Sequence, residues 1–132
     1  ILRPDGERMT VVRGPYYFEP RFTVDQASDS AKTPIFASGD DLRFGYQSVV
    51  TTEKEIFALF SGRVRKDFGG EAIYGEFVHA FDWSGRFLHA YDLGQAVFQI
   101  DIDPAGQRLY ALVHEPEVGV VVFELRAENL AR

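Results

Sequence analysis

Residues 47–60 read QSVVTTEKEIFALF, and residues 99–113 read QIDIDPAGQRLYALV. Each is an apolar run, a polar turn and a second apolar run. The second runs align as Ile56-Phe57-Ala58-Leu59 on Leu109-Tyr110-Ala111-Leu112, a step of 53 residues from Phe57 to Tyr110. A strand that bounds solvent on one side alternates apolar and polar residues. Here Ile56–Phe60, Leu109–Val113 and Val120–Phe123 are apolar at every position, which predicts burial on both faces. A central parallel strand would give the same pattern, but it needs crossover helices longer than most of these connections allow. A self-similar strand-and-turn unit of this length, sandwiched between neighbours, is the signature of a propeller blade.

Working outward, the chain from Leu42 reads as strand after strand. Phe44–Thr52 and Glu55–Phe60 flank the turn Thr52-Glu53-Lys54, and a polar Gly-containing loop follows over 63–75. Glu76–Asp82 and Arg86–Leu93 flank Trp83-Ser84-Gly85; Ala96–Asp103 and Arg108–His114 flank Pro104-Ala105-Gly106; Gly119–Leu125 closes the series. The expected fold class is all-β, with antiparallel four-stranded blades forming a partial propeller of about two and a half blades. Residues 42–93 form one blade, 94–126 an incomplete last blade and 127–132 a tail. Residues 1–24 read as a hairpin turned at Pro4-Asp5-Gly6, the outer half of a preceding blade, kept to a periphery by Pro15 and Pro20. The small polar stretch 25–41 reads as a loop.

Composition agrees with a packed β domain. At 132 residues and 45% hydrophobic content the chain can bury roughly two-thirds of its unfolded surface. Twelve Phe and six Tyr against a single Met give a core of flat, stiff side chains. A net charge of −6, with no basic run beyond Arg63-Val64-Arg65-Lys66, argues against nucleic acid, which needs a concentrated positive face. No stretch approaches the roughly 20 apolar residues of a membrane helix. The absence of cysteine excludes disulfides and thiolate metal sites and leaves the compartment open. A start at Ile1 without Met is expected to mean that a signal peptide, a tag or part of a larger protein has been removed.

The stretch FGYQSVVTTEKEIFALFSGR, with EFVHAFDWSGRFLHAYDLGQAVFQIDIDPAGQRLYALVHEPEVGVVVFEL after it, resembles the last two blades of the TolB-like six-bladed propellers over about residues 42–126. The resemblance implies a scaffold that binds proteins or small ligands at its mouth, generally without known catalysis, and an exported setting, periplasmic or at the cell surface of a bacterium. A complete member has six blades. The missing ones belong to a parent chain, or three copies complete a ring.

Asp101-Ile102-Asp103-Pro104-Ala105-Gly106 has two carboxylates where calcium needs six to eight oxygens, and it reads as a turn. Asp82-Trp83-Ser84-Gly85 reads as a turn in which Asp82 caps amides and Trp83 covers a neighbouring strand. Arg63–Lys66 reads as a solvated loop. His79, His89 and His114 read as half-buried structural residues, without the register of a zinc site. Ser48, Ser61 and Ser84 lack a nucleophile elbow, and Gly62, Gly69 and Gly70 lack a following helix to cradle phosphate. No catalytic residue, metal site or cofactor is expected. The expected ligand-binding residues are those leading into the innermost strands, at the channel mouth: Arg43, Tyr46, Gln47, Gln95 and Gln99. The expected function is a non-catalytic binding or scaffold module for a protein or small-molecule ligand, with no nucleic acid and no membrane span. The alternative is a propeller hydrolase or lactonase using a channel-bound divalent cation. A lone chain is expected to expose the runs 56–60 and 120–123, and so to associate.

Overall fold

The structure, a computed structural model, describes residues 6, 10–19, 23–25, 35–37 and 39–126. Among the described residues the fold is mostly β, and every strand pairing is antiparallel. Strands β1 (Thr23–Asp25) and β2 (Ile35–Ala37) pair as a short ribbon. Strands β3 (Tyr46–Thr51), β4 (Glu55–Phe60), β5 (Gly75–Asp82) and β6 (Phe87–Val97) form a four-stranded sheet in chain order. Strands β7 (Gln99–Ile102), β8 (Arg108–Val113) and β9 (Gly119–Glu124) form a three-stranded one.

The hairpin turns repeat one device. Asp82 Oδ1 accepts from the amides of Ser84 and Arg86, each at 3.0 Å, and from Ser84 Oγ at 2.5 Å; Arg86 Nε donates to Oδ2 at 3.1 Å. Asp103 Oδ1 accepts from the amides of Gln107 at 2.7 Å and Arg108 at 2.9 Å. In both turns the glycine three residues on, Gly85 or Gly106, has a left-handed φ of 89° or 70° and returns its amide to the aspartate carbonyl at 2.9 Å. Donors converging on a carboxylate favour its charged form. Asp82 is held below the usual range, first by the Ser84 hydroxyl, and Asp103 first by the Arg108 amide. Trp83 Nε1 donates to Thr52 O at 3.3 Å, so the ring covers the β3–β4 turn, as the turn reading expects.

The two sheets share one core. Phe57 and Leu59 of β4, Val78 and Ala80 of β5 and Tyr91 and Leu93 of β6 meet Ile100, Leu109, Ala111 and Val113 of the three-stranded sheet. At roughly 25 cal/mol per Å² of apolar surface, this junction is the main stabilising contact between the sheets. Beyond it the sheets differ. Along β4, Phe57–Phe60 are all buried, whereas β8 alternates strictly, with Leu109, Ala111 and Val113 in and Arg108, Tyr110 and Leu112 out. The expectation that 56–60 would be exposed is therefore corrected, while in 120–123 Val120 and Val122 do face out, 62% and 51% exposed.

What covers β4 is the N-terminal arm. Thr10–Glu19 joins no strand, contrary to the hairpin expected there; the rest of that hairpin lies outside the described residues except Gly6 and β1. The arm crosses the four-stranded sheet on the face away from the core, with Val12, Gly14 and Phe18 half-buried between exposed Val11, Arg13, Pro15 and Tyr17. Val12 reaches the Gly85 turn, and Tyr16 stacks on Phe60 at 5.8 Å. Gly14 lies so close to Tyr46 that a β-carbon would sit 1.8 Å from its hydroxyl.

Three smaller differences follow from local geometry. The loop expected at 63–75 winds into a helical turn, α1 (Arg65–Phe68), and a 3₁₀ turn, Gly69–Ile73. The strand expected over 96–103 is broken at Phe98: β6 continues to Val97 opposite Gly75, and β7 begins at Gln99. The stretch expected as a loop at 25–41 contains β2.

Candidate functional site

Antiparallel pairing brings the starts of β3, β5 and β7 and the ends of β4, β6 and β8 to one end of the sheets, opposite the tight turns. The segment leading into β3 is a ribbon of its own. Phe44 N donates to Arg63 O and Gly62 N to Phe44 O, both at 2.9 Å; Ser61 N donates to Gly45 O at 3.0 Å and Arg65 N to Leu42 O at 2.9 Å. The β3–β4 ladder thus continues past a bulge at Gln47 and fixes residues 42–45. Ser61 Oγ ties the ribbon to the 3₁₀ turn by donating to Ala72 O at 2.6 Å.

Arg43 stands on this ribbon. Its Nη1 donates to Gly62 O at 3.4 Å and its guanidinium lies 5.6 Å from the Phe18 ring centre. It borders a polar groove of about 560 Å³ between the arm and α1, with Glu19, Asp41, Lys66 and Asp67 around it. Gln47 is exposed at the bulge and donates from Nε2 to Gly45 O at 3.3 Å. Gln99 opens β7 opposite Leu112, exposed, and β3 lies against β7. Gln95 is exposed near the end of β6, which runs through Phe98 into β7.

Tyr46 turns the other way, into an aromatic layer that the sequence did not reveal. Its hydroxyl is 2.7 Å from Nδ1 of His79, a residue with 0% exposure. Phe60 stacks on the His79 ring at 5.0 Å, Tyr16 lies over it at 5.7 Å and Phe87 meets it edge-on at 5.8 Å. Burial disfavours imidazolium and pushes His79 down to about 4; it also pushes the Tyr46 phenol up to about 12. His79 Nε2 is buried with no hydrogen-bond partner. The histidine is wholly buried rather than half-buried, and the only sequence signal for it was a polar residue in the apolar run Phe77-Val78-His79-Ala80-Phe81.

His89 pairs with Ala80 and packs against Tyr91 at 4.8 Å, while His79 pairs with Ala90, so the two histidines face opposite sides of the sheet. His114 is exposed, its ring 5.7 Å from Tyr74 and 5.6 Å from Phe98; this aromatic group stands at the same end as Gln99 and was also missed. The Arg63–Lys66 cluster is partnered: Arg63 pairs with Glu76 at 3.5 Å and lies over Phe68, Arg65 lies over Phe44, and Lys66 is 3.9 Å from Asp41. Among the described residues, no helix is long and apolar enough to cross a membrane.

Two antiparallel sheets stacked face to face, joined by a repeat of 53 residues, are consecutive units of a propeller-like architecture. The family model of the TolB-like 6-blade propeller-like proteins matches residues 4–105. The chain belongs to that family. The match starts well before residue 42, so in this TolB-like chain the arm and the β1–β2 region fall within the family pattern, and it ends in the turn after β7. No curated protein and no solved structure matches this TolB-like chain.

Proposed function

We propose that the chain is a non-catalytic binding or scaffold module that takes a protein or small-molecule ligand at the leading end of its inner strands, β3 and β7. One observation carries the reading: the fixed ribbon before β3 presents Arg43 beside a polar groove at the end where Gln47 and Gln99 are also exposed. Arg43 and Gln47 spend donors on long bonds to Gly62 O and Gly45 O, at 3.4 and 3.3 Å, weak enough for a ligand acceptor to replace. Tyr46 supports that end from beneath, and Gln95 borders it from β6.

The rival, a hydrolase or lactonase with a channel-bound cation, calls for carboxylates free to converge. Asp103 is engaged by the amides of its turn, and Asp101 Oδ1 accepts from Ile102 N at 2.8 Å. An NMR titration with a fragment library separates the two readings. Shifts at Arg43, Gln47 and Gln99 that vanish in the Arg43→Ala/Gln99→Ala variant are expected, and binders that shift only other residues reject the mouth. Calcium that binds tightly and raises the melting temperature transfers the case to the rival.

This reading goes with a setting outside the bacterial cytoplasm, periplasmic or at the cell surface. Its support is the family, and a sequence without cysteine permits it. Fractionation that recovers the protein only with cytoplasmic markers rejects it. A six-blade ring also needs sheets beyond these two, from missing blades of a parent chain or from further copies.

A further inference from the structure

Three rings at the mouth end take no part in the reading above. Strand β5 begins at Gly75, β6 ends at Val97, β7 begins at Gln99 and β8 ends at Val113, so Tyr74, Phe98 and His114 each stand one residue outside a ladder, at the seam where the chain crosses from one sheet to the other. Their ring centres form a near-equal triangle of 5.9, 5.7 and 5.6 Å, with Tyr74 and His114 within 30° of parallel and Phe98 edge-on to both. Phe98 is 38% exposed, His114 is exposed and Tyr74 is half-buried. Val97 and Val113, the residues just before Phe98 and His114, are buried in the core that the two sheets share. The rings therefore stand over the end of that core rather than on an outer sheet face, and a further sheet packed on either outer face would leave them open.

We propose that this cluster is a stacking platform for a neutral saccharide, one sugar ring lying on its exposed aromatic surface. The chemistry around it selects that class. A cage for a quaternary ammonium holds the ion between its rings, and rings already in contact at 5.6 to 5.9 Å enclose no such space. An anionic ligand needs a cation to meet it. Residues 87–107 and 109–125 contain no Lys or Arg, and Arg63, on the loop before Tyr74, is largely buried and paired with Glu76 at 3.5 Å. What stands exposed beside the rings along the chain is a pair of amides, Gln95 and Gln99, and the carboxylate of Glu115. A sugar ring matches both halves of that surface, because its C–H face packs on aromatic carbon while its hydroxyls exchange hydrogen bonds with amides and carboxylate. The inference rests on the mouth reading for its location and deepens it with a ligand class. It uses different residues, since Arg43 and Gln47 take no part.

NMR titrations of the chain with maltohexaose, cellohexaose and chitohexaose test it. At least one of the three is expected to shift the ring signals of Tyr74, Phe98 and His114 together with the Gln99 side-chain amide. Phe98→Ala and His114→Ala are expected to weaken that binding about tenfold, the loss of one stacking contact, while Phe98→Tyr and Arg43→Ala bind like the parent. His114 is exposed, so its removal is expected to leave the circular dichroism unchanged and to report on the platform even where Phe98→Ala disturbs the fold. No shift from any of the three oligosaccharides overturns the saccharide, whereas the mouth reading is decided separately by the fragment titration of the parent and the Arg43→Ala/Gln99→Ala variant. Oligosaccharide shifts confined to Arg43 and Gln47 keep the mouth and overturn the platform. His114→Ala and Phe98→Ala that bind as tightly as the parent overturn it too, and tetramethylammonium that moves the same rings more strongly than any sugar assigns them to a cation instead.

Discussion

The arm face of the four-stranded sheet and the open face of the three-stranded sheet begin from similar strand chemistry and end differently. On the first, Ala58, Phe60, His79 and Phe81 are closed over by Thr10–Phe18 and buried. On the second, Tyr110, Leu112, Val120 and Val122 stand exposed. An apolar strand is a demand for cover, not a statement of where the cover comes from. Here an extended arm with no ladder bonds meets the demand once, and the neighbouring sheet meets it at the shared core.

The sharpest way to break the comparison is to truncate equivalent residues. Phe57→Ala removes a fully buried ring from the shared core and is expected to cost about 3–5 kcal/mol in urea unfolding. Tyr110→Ala, one repeat later, is expected to cost less than about 1 kcal/mol in dilute solution. Equal losses would mean that the open face is buried after all.

Acid sharpens the arm side. His79 holds its proton less tightly folded, at about 4, than unfolded, at the ordinary 6.5. The unfolded chain therefore binds more protons between those values, and stability present above about pH 6.5 falls as pH drops toward 4, by at most about 3 kcal/mol. Asp82 and Asp103, held below the usual carboxylate range, lose their contribution only at lower pH, so the 6.5-to-4 window isolates the histidine. His79→Phe is expected to flatten that window and to remove a buried nitrogen without a partner. An unchanged slope in the variant would remove the histidine from the account.

Gly14→Ala acts on the arm alone. Its methyl collides with the Tyr46 hydroxyl, and moving either group is expected to cost about 1–2 kcal/mol and to raise proteolysis at Tyr16 and Tyr17. Protection equal to the parent's would show that the arm does not lie there. On the arm side the smaller effect is expected from Tyr46→Phe, about 1 kcal/mol for the bond to His79, with the arm retained.

Much of this fold was legible because strand and turn chemistry are local. The Asp-x-x-Gly turns at 82–85 and 103–106 fix two hairpins from four residues each, and the repeat aligns them with the apolar runs. The arm was not legible. Its apolar residues Val12, Tyr16 and Phe18 are visible in the sequence, but the sheet it covers begins near residue 46, and nothing local says that Gly14 must clear Tyr46. The apolar runs told that both faces of β8 favour burial without telling which one this chain would cover. At the candidate site, Arg43, Gln47 and Gln99 were legible from their place before an apolar run. Gln95 lies near the end of β6, in the segment that runs through Phe98 into β7, and Phe98 N donates to Leu112 O at 2.8 Å. His79 and the Tyr74–Phe98–His114 group depend on contacts between distant strands, which spacing does not encode.

The chain contains no cysteine, so one introduced thiol reports one position. Ala80→Cys and Val122→Cys stand at equivalent places, the first at 0% exposure against the neighbouring sheet and the second at 51% on the open face. Thiol labelling in dilute native conditions tests the stacking directly. Val122→Cys should react at the rate of a free thiol, and Ala80→Cys only as fast as the sheets open. Rapid labelling of Ala80→Cys in the folded protein, or protection of Val122→Cys in the monomer, would contradict it.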